Sequence, residues 1–193
     1  MARTKEYDEQ AVLDKAMRLF WEQGYEKTSM TDLVEHMGVH RRSLYDTFGD
    51  KRTLFLKALD RYGAFTGADL ASGIRKAKTA EEAVRFVFHY AIDDKDGYPS
   101  GCLLVSSAVE LAARDAEADA KTLFGFENGE RLMADIIEWG QQNGEFTTNV
   151  DAKELAESMH NALLGIRVMS RTSVSREKLY RIVDQSMGLL QKP

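Results

Sequence analysis

The stretch Met30-Thr31-Asp32-Leu33-Val34-Glu35-His36-Met37-Gly38-Val39-His40-Arg41-Arg42-Ser43-Leu44-Tyr45-Asp46-Thr47-Phe48-Gly49-Asp50-Lys51 constrains this chain more than any other part of it. Leu33, Val34 and Met37 recur at helical spacing, with Thr28 or Ser29 as N-cap and Asp32 adding a carboxylate to the first turn. Gly38 permits the left-handed step that stops this helix, and Val39 can pin the turn to a core. A second short helix is predicted over residues 40–48. Its Leu44 and Phe48 lie four apart and face inward, which turns Arg41, Arg42, Ser43 and Thr47 to other faces. Two short amphipathic helices joined at a glycine, with charge and hydroxyls on the second, outline a helix-turn-helix. Such a unit lays its second helix in the major groove of DNA.

The residue types suit that task. Arginine grips guanine bidentately or neutralises phosphate, and serine or threonine bonds either. Tyr45 can keep its ring on the domain and aim its hydroxyl at a phosphate. Lys51 opens the next helix, where free backbone N–H groups and the lysine charge favour an anion. The candidate DNA-contacting set is Thr28, Ser29, Thr31, His40, Arg41, Arg42, Ser43, Tyr45, Thr47 and Lys51. A glycine between short helices is common in all-α proteins, so the weight rests on the whole string.

That string resembles the TetR family of bacterial regulators. The family's small hydroxylated residues before an apolar helix, then Gly-Val, Leu-Tyr, Phe, Lys and Leu, are matched by Thr28, Ser29, Gly38, Val39, Leu44, Tyr45, Phe48, Lys51 and Leu54. Upstream, Ala16, Leu19, Phe20, Gly24 and Tyr25 match the family's first helix and turn. The specific likeness covers residues 8–60; the remainder agrees in length and helicity. Two positions depart from the pattern. His40 stands where the family usually has Ser or Thr, and Arg42 where a small residue is frequent. A half-site sequence therefore cannot be borrowed from other members.

Composition agrees with an all-α protein: two prolines in 193 residues, long runs of helix formers and no strand-like alternation of useful length. The net charge of -5 argues against DNA until its distribution is considered. Arg41, Arg42, Lys51, Arg52 and Lys57 outweigh Asp46 and Asp50 locally, while the acidic excess lies in residues 110–117 and 135–157. An acidic body with a locally basic head limits non-specific binding, which is largely electrostatic. Cys102 is the single cysteine, so no intrachain disulfide can form. No apolar run approaches a membrane span and no signal peptide is read at the N-terminus, so the expected location is the cytoplasm.

The expected organisation is an N-terminal three-helix DNA-binding head, residues 1–50, and a helical ligand-binding and dimerisation body, residues 51–193. The first helix is predicted over residues 8–23. A longer one over 50–69 links head to body and is followed by a linker at 72–78. Thr79 caps the first body helix, with Glu82 completing a capping box. A loop at 93–101 precedes helices at 102–113 and 116–143. After a break at 144–150, Asp151 caps the next helix, and the last spans 175–190.

Broad stripes on the final two helices (Leu155, Met159, Ala162, Leu163, Ile166, Leu179, Ile182, Val183, Ser186, Met187 and Leu190) are the expected dimer surface, two copies making a four-helix bundle. The alternative is that they cover the body's own core; the resemblance favours the dimer, and with it a palindromic operator. The resemblance also implies a cavity for a small-molecule effector. Its candidate lining is Phe86, Phe88, His89, Tyr90, Cys102, Trp139, His160 and Arg167. Cys102 opens a helix, where a thiol's pKa is lowered, so it is also a candidate electrophile sensor; the alternative is a buried small hydrophobe. No cofactor is expected. No His/Cys/Asp/Glu cluster has metal spacing, and no nucleophile–base pair, phosphate loop or paired carboxylates suggest an enzyme. The expected function is a homodimeric repressor of a palindromic operator, released by a small-molecule or electrophile signal, with activation as the other possibility.

Overall fold

The structure, a computed structural model, describes residues 8–93, 95 and 97–192. Residues 1–7 of the expected head, Asp94 and Asp96 of the expected loop and Pro193 lie outside the described residues. The order is α1 (Glu9–Gln23), α2 (Met30–Met37), α3 (Arg41–Phe48), α4 (Lys51–Ile74), α5 (Ala80–Ile92), α6 (Leu103–Leu111), α7 (Ala116–Gln142), α8 (Ala152–Met169) and α9 (Arg176–Met187), closed by a 3-10 turn at Gly188–Leu190. Among the described residues there is no strand.

Local chemistry sets most of these ends. Asp8 accepts the N–H groups of Gln10 and Ala11 and starts α1; Gly24, at φ 83°, ends it. Ser29 and Asp32 form a reciprocal capping box at α2, and Gly38 (φ 70°, ψ 36°) takes the left-handed step at its end. Asp50 accepts from the N–H of Thr53. At α5 the box is shifted by one residue: Thr79 accepts from Glu82 N–H, but the Glu82 carboxylate accepts from Lys78 N–H.

Two helix ends differ from expectation: α9 passes into the 3-10 turn after Met187 instead of running to 190, and α4 is longer than expected. α4 runs to Ile74, through Gly67 and Gly73 and into the expected linker. Gly73 does not end the helix. A Cβ there would stand 1.9 Å from Cζ of Phe86, so the glycine lets α5 approach α4 closely.

Two hydrophobic cores hold the chain. The first joins α1, α2, α3 and the N-terminal part of α4, with Phe20, Leu33, Met37, Leu44 and Phe55 almost completely buried. Phe55 meets Phe20 edge-on, ring centroids 5.0 Å apart. Cys102, Leu103 and Leu111 close this core from α6, together with Ala118 from α7. The second core joins α5, α7, α8 and α9 around Val84, Phe88, Met133, Ile137, Met159 and Val183.

The final-helix stripes belong to that second core, which corrects their reading as dimer surface. Leu155, Met159, Leu163, Ile166, Leu179, Val183, Met187 and Leu190 are at most 7% exposed within the single chain. Ala162 and Ile182 pack at its margin, and Ser186 donates to the Ile182 carbonyl. Most of the apolar periodicity of α8 and α9 is used up in closing the body. Gly165 and Val168 of α8 and Leu189 of the 3-10 turn remain exposed.

Polar links tie the head to the body. Arg52 of α4 donates to Asp115, the N-cap of α7, and to Glu117 at 3.0 Å. Arg61 holds Asp14 across α1 and α4. Arg171 donates to the carbonyls of Trp21 and Glu22 at 2.8 and 2.7 Å, and Glu110 accepts from Glu26 N–H. The Arg52 guanidinium, followed by the Ala118 N–H, holds the Asp115 carboxyl well below its ordinary value of 3.8. A carboxyl depressed in the folded state stabilises above its unfolded pKa and loses that contribution as pH falls through the folded one. Asp115→Asn is therefore expected to lower the thermal midpoint above about pH 4 and to converge with the parent in more acidic solution. Melting curves across pH check this; a constant separation at every pH would contradict it.

Candidate nucleic-acid interface

Leu44 and Phe48, 0% and 4% exposed, anchor α3 to the first core and fix which face it offers. Arg41 and Arg42 lie on the outward side. The Arg42 side chain is 93% exposed, and its ion-pair partner among the described residues is Asp46, 3.8 Å away and itself exposed. Such a pair holds the guanidinium weakly, leaving it available to an anion. Arg41 stands 5.8 Å from the Tyr45 ring, itself 40% exposed. Ser43 and Thr47 are half-buried on the flanks. His40 is the N-cap residue but makes no side-chain cap bond, so the first N–H groups of α3 lack the closure a serine or threonine provides.

The surroundings sort the remaining candidates. Lys51 lies in the first turn of α4, its ammonium 4.2 Å over the Tyr25 ring. Ser29 and Thr31 are exposed at the start of α2. Thr28 is corrected: it is 0% exposed and its hydroxyl donates to the Gly24 carbonyl at 2.6 Å. It holds the turn between α1 and α2 and cannot reach DNA. Arg52, counted in the basic local charge, is engaged by Asp115 and Glu117 and drops out of the cationic set.

The candidate pocket residues divide. Tyr90, Cys102 and Arg167 gather beside Tyr62 of α4, a buried member of the first core. Phe86 packs on Gly73, His89 stands edge-on to Tyr180, and Trp139 packs against the second core with Phe88 inside it. His160 is buried against Phe126 and Gly129. Burial, and after it the Arg167 charge, pushes the His160 pKa down, so the ring favours its neutral form. Among the described residues no group of three or more His, Cys, Asp or Glu is placed to hold a metal, and no helix is long and apolar enough to cross a membrane.

Known proteins share this arrangement. The model described as bacterial regulatory proteins, tetR family, matches residues 12–58, and that of the tetracyclin repressor-like C-terminal domain matches residues 68–185. An uncharacterized HTH-type transcriptional regulator of Bacillus subtilis (strain 168), YezE, is 31% identical over 98% of this chain and 100% of its own length. The HTH-type transcriptional repressor ComR of Escherichia coli (strain K12) is 32% identical over 97% of this chain and 90% of its own. The TetR family regulator CifR, solved as a cysteine mutant complexed with 26bp double-strand operator DNA, superposes with a TM-score of 0.85 at 28% identity, covering 98% of this chain and 100% of that one. The exposed cationic face of α3, the two-core helical architecture and these likenesses along the whole chain place it in one group: it belongs to the tetR family of DNA-binding transcriptional regulators.

Proposed function

We propose that this protein is a homodimeric repressor of a palindromic operator, released when a small molecule binds its body. The observation that carries the reading is the exposed Arg41 and Arg42 pair on a helix whose opposite side is locked by Leu44 and Phe48. A rigidly held helix with cations outward suits major-groove insertion. The similarity to ComR, named a repressor, and to CifR, solved on operator DNA, supports the same direction. Residues 1–50 act as the reading head and 51–193 as the sensing and pairing body, with α4 belonging to both.

The pairing surface is the outward side of α8 and α9. Gly165, around which a Cβ would meet nothing within 4 Å, and the half-exposed Val168 and Leu189 allow close approach of a second copy. Two-fold pairing there sets two α3 helices about one DNA turn apart. A ligand favouring a body conformation in which the heads no longer fit adjacent grooves would release the operator. Cys102 is 7% exposed, which favours a reversibly bound signal over an electrophile; Cys102→Ser should leave the response to thiol-reactive compounds unchanged.

Selection of random-sequence duplexes on the purified protein, at near-physiological salt, tests the core of this reading. An enriched palindrome is the expected result. Binding that follows ionic strength alone, with no enrichment, would overturn it.

A further inference from the structure

Arg167 is a buried cation without a counter-charge among the described residues. It is 9% exposed, its Nη1 donates to the Gly101 carbonyl at 3.3 Å, and it lies 5.5 Å from the Tyr90 ring. The ionisable groups facing it are Tyr62, Cys102, Tyr90 and His160, none of them an acid that is charged at neutral pH. Asp69, which accepts the Tyr90 hydroxyl, is itself paired with Lys95. A guanidinium cannot escape by losing its proton.

A further donor nearby is unmet: the Trp21 indole N–H is buried with no hydrogen-bond partner, its side chain 5% exposed, while the equally buried Tyr62 hydroxyl faces the Cys102 thiol. Their rings meet edge-on, centroids 4.8 Å apart. Trp21, Tyr90, Asp93, Lys95, Gly101 and Arg167 border a cavity of about 30 Å³; the Asp93 carboxylate is engaged by the Tyr180 hydroxyl, and Lys95 by Asp69. That space admits one or two waters. Water would satisfy the donors but leave the buried positive charge uncompensated, whereas a compact anion does both.

We propose that this cavity is an anion site, taking a halide-sized inorganic anion or the carboxylate head of a small acid between Arg167 and the Trp21 indole. Its position gives it a consequence. Trp21 belongs to α1 of the head and Arg167 to α8 of the body, and Arg171, just past the end of α8, already grips the C-terminal carbonyls of α1. An anion bound here adds a second link at the joint that a signal must cross. As an effector site it rests on the repressor reading; as a binding site it does not.

The protein contains two tryptophans, Trp21 and Trp139, so a Trp139→Phe background makes Trp21 the only indole reporter. Sodium chloride and sodium formate are titrated separately. A morpholinoethanesulfonate salt, whose anion is too large for the cavity, holds ionic strength constant. The expected result is a saturable change in indole emission, with a thermal midpoint that rises with anion concentration. Affinity should weaken at least about tenfold in Arg167→Gln, and measurably in Trp21→Phe, which keeps a ring should the first variant fail to fold and is read through the thermal midpoint. Saturation by formate but not chloride assigns the site to a carboxylate head, and the reverse to an inorganic anion. A midpoint response to both salts that is linear and unchanged in Trp21→Phe overturns the site. Saturable binding by a protein that enriches no operator would sink the repressor reading alone; an enriched operator without saturable binding would sink the anion site alone.

Discussion

Replacing Arg41 and Arg42 together with alanine is expected to weaken operator binding a hundredfold or more while leaving the fold intact. Each arginine that reads a base contributes about 1–3 kcal/mol, and each that neutralises a phosphate lowers the salt slope by about 1 when lost. Both side chains lie on the exposed side of α3, away from the Leu44 and Phe48 anchors. The Arg42–Asp46 pair that would be lost is solvent-screened and contributes little to stability. Melting temperature and helical dichroism should therefore be unchanged. Fluorescence anisotropy on the selected operator, repeated at several salt concentrations, measures the loss and separates base readout from phosphate contact. Undiminished affinity in the double variant would mean that α3 does not enter the groove.

The second large effect concerns the packing that aims α3. Phe20 is 0% exposed and touches Phe55 edge-on at 5.0 Å, with Tyr25 stacked at 6.3 Å. Phe20→Ala removes a ring from the centre of the first core, a change that costs about 3–5 kcal/mol. Whole domains are stable by only about 5–15 kcal/mol, so the thermal midpoint should fall by about 10 °C or more, with operator binding lost at physiological temperature. Phe124 on α7 is 64% exposed and serves as the control; Phe124→Ala should shift stability by no more than about 0.5 kcal/mol. A loss below about 1 kcal/mol for Phe20→Ala would show that the head can close around the missing ring.

Much of the head was legible because its signals are local. Caps at Asp8, Ser29 and Asp50, left-handed glycines and the four-residue spacing of Leu44 and Phe48 act within one or two turns of the chain. Ranges expected for α1, α3, α6 and α7 agree with the structure to within a residue or two at most ends. The errors arose where a residue's partner is far away in sequence. Gly73 fell within the expected linker and is instead a helical notch for Phe86. Thr28 resembled a DNA-facing hydroxyl and is turned into the α1–α2 corner. The stripes of α8 and α9 stated that these helices bury one face, but periodicity cannot say against what. The fold turns eight of those residues toward α5 and α7 of the same chain.

The residues around Arg167 show the same division. Tyr90 and Arg167 could be named from their chemistry, but their company could not. Trp21 and Tyr62 come from α1 and α4, more than a hundred residues from Arg167 along the chain. The sequence by itself determined the helical class, the helix-turn-helix and its outward cations, because these follow from backbone chemistry and spacing within a few turns. Only the tertiary structure decided which apolar faces close the core, which cations are engaged across the head–body joint and which buried donors lack an acceptor. Burial and pairing are properties of groups brought together by packing, and packing energy depends on volumes and distances that no local pattern encodes.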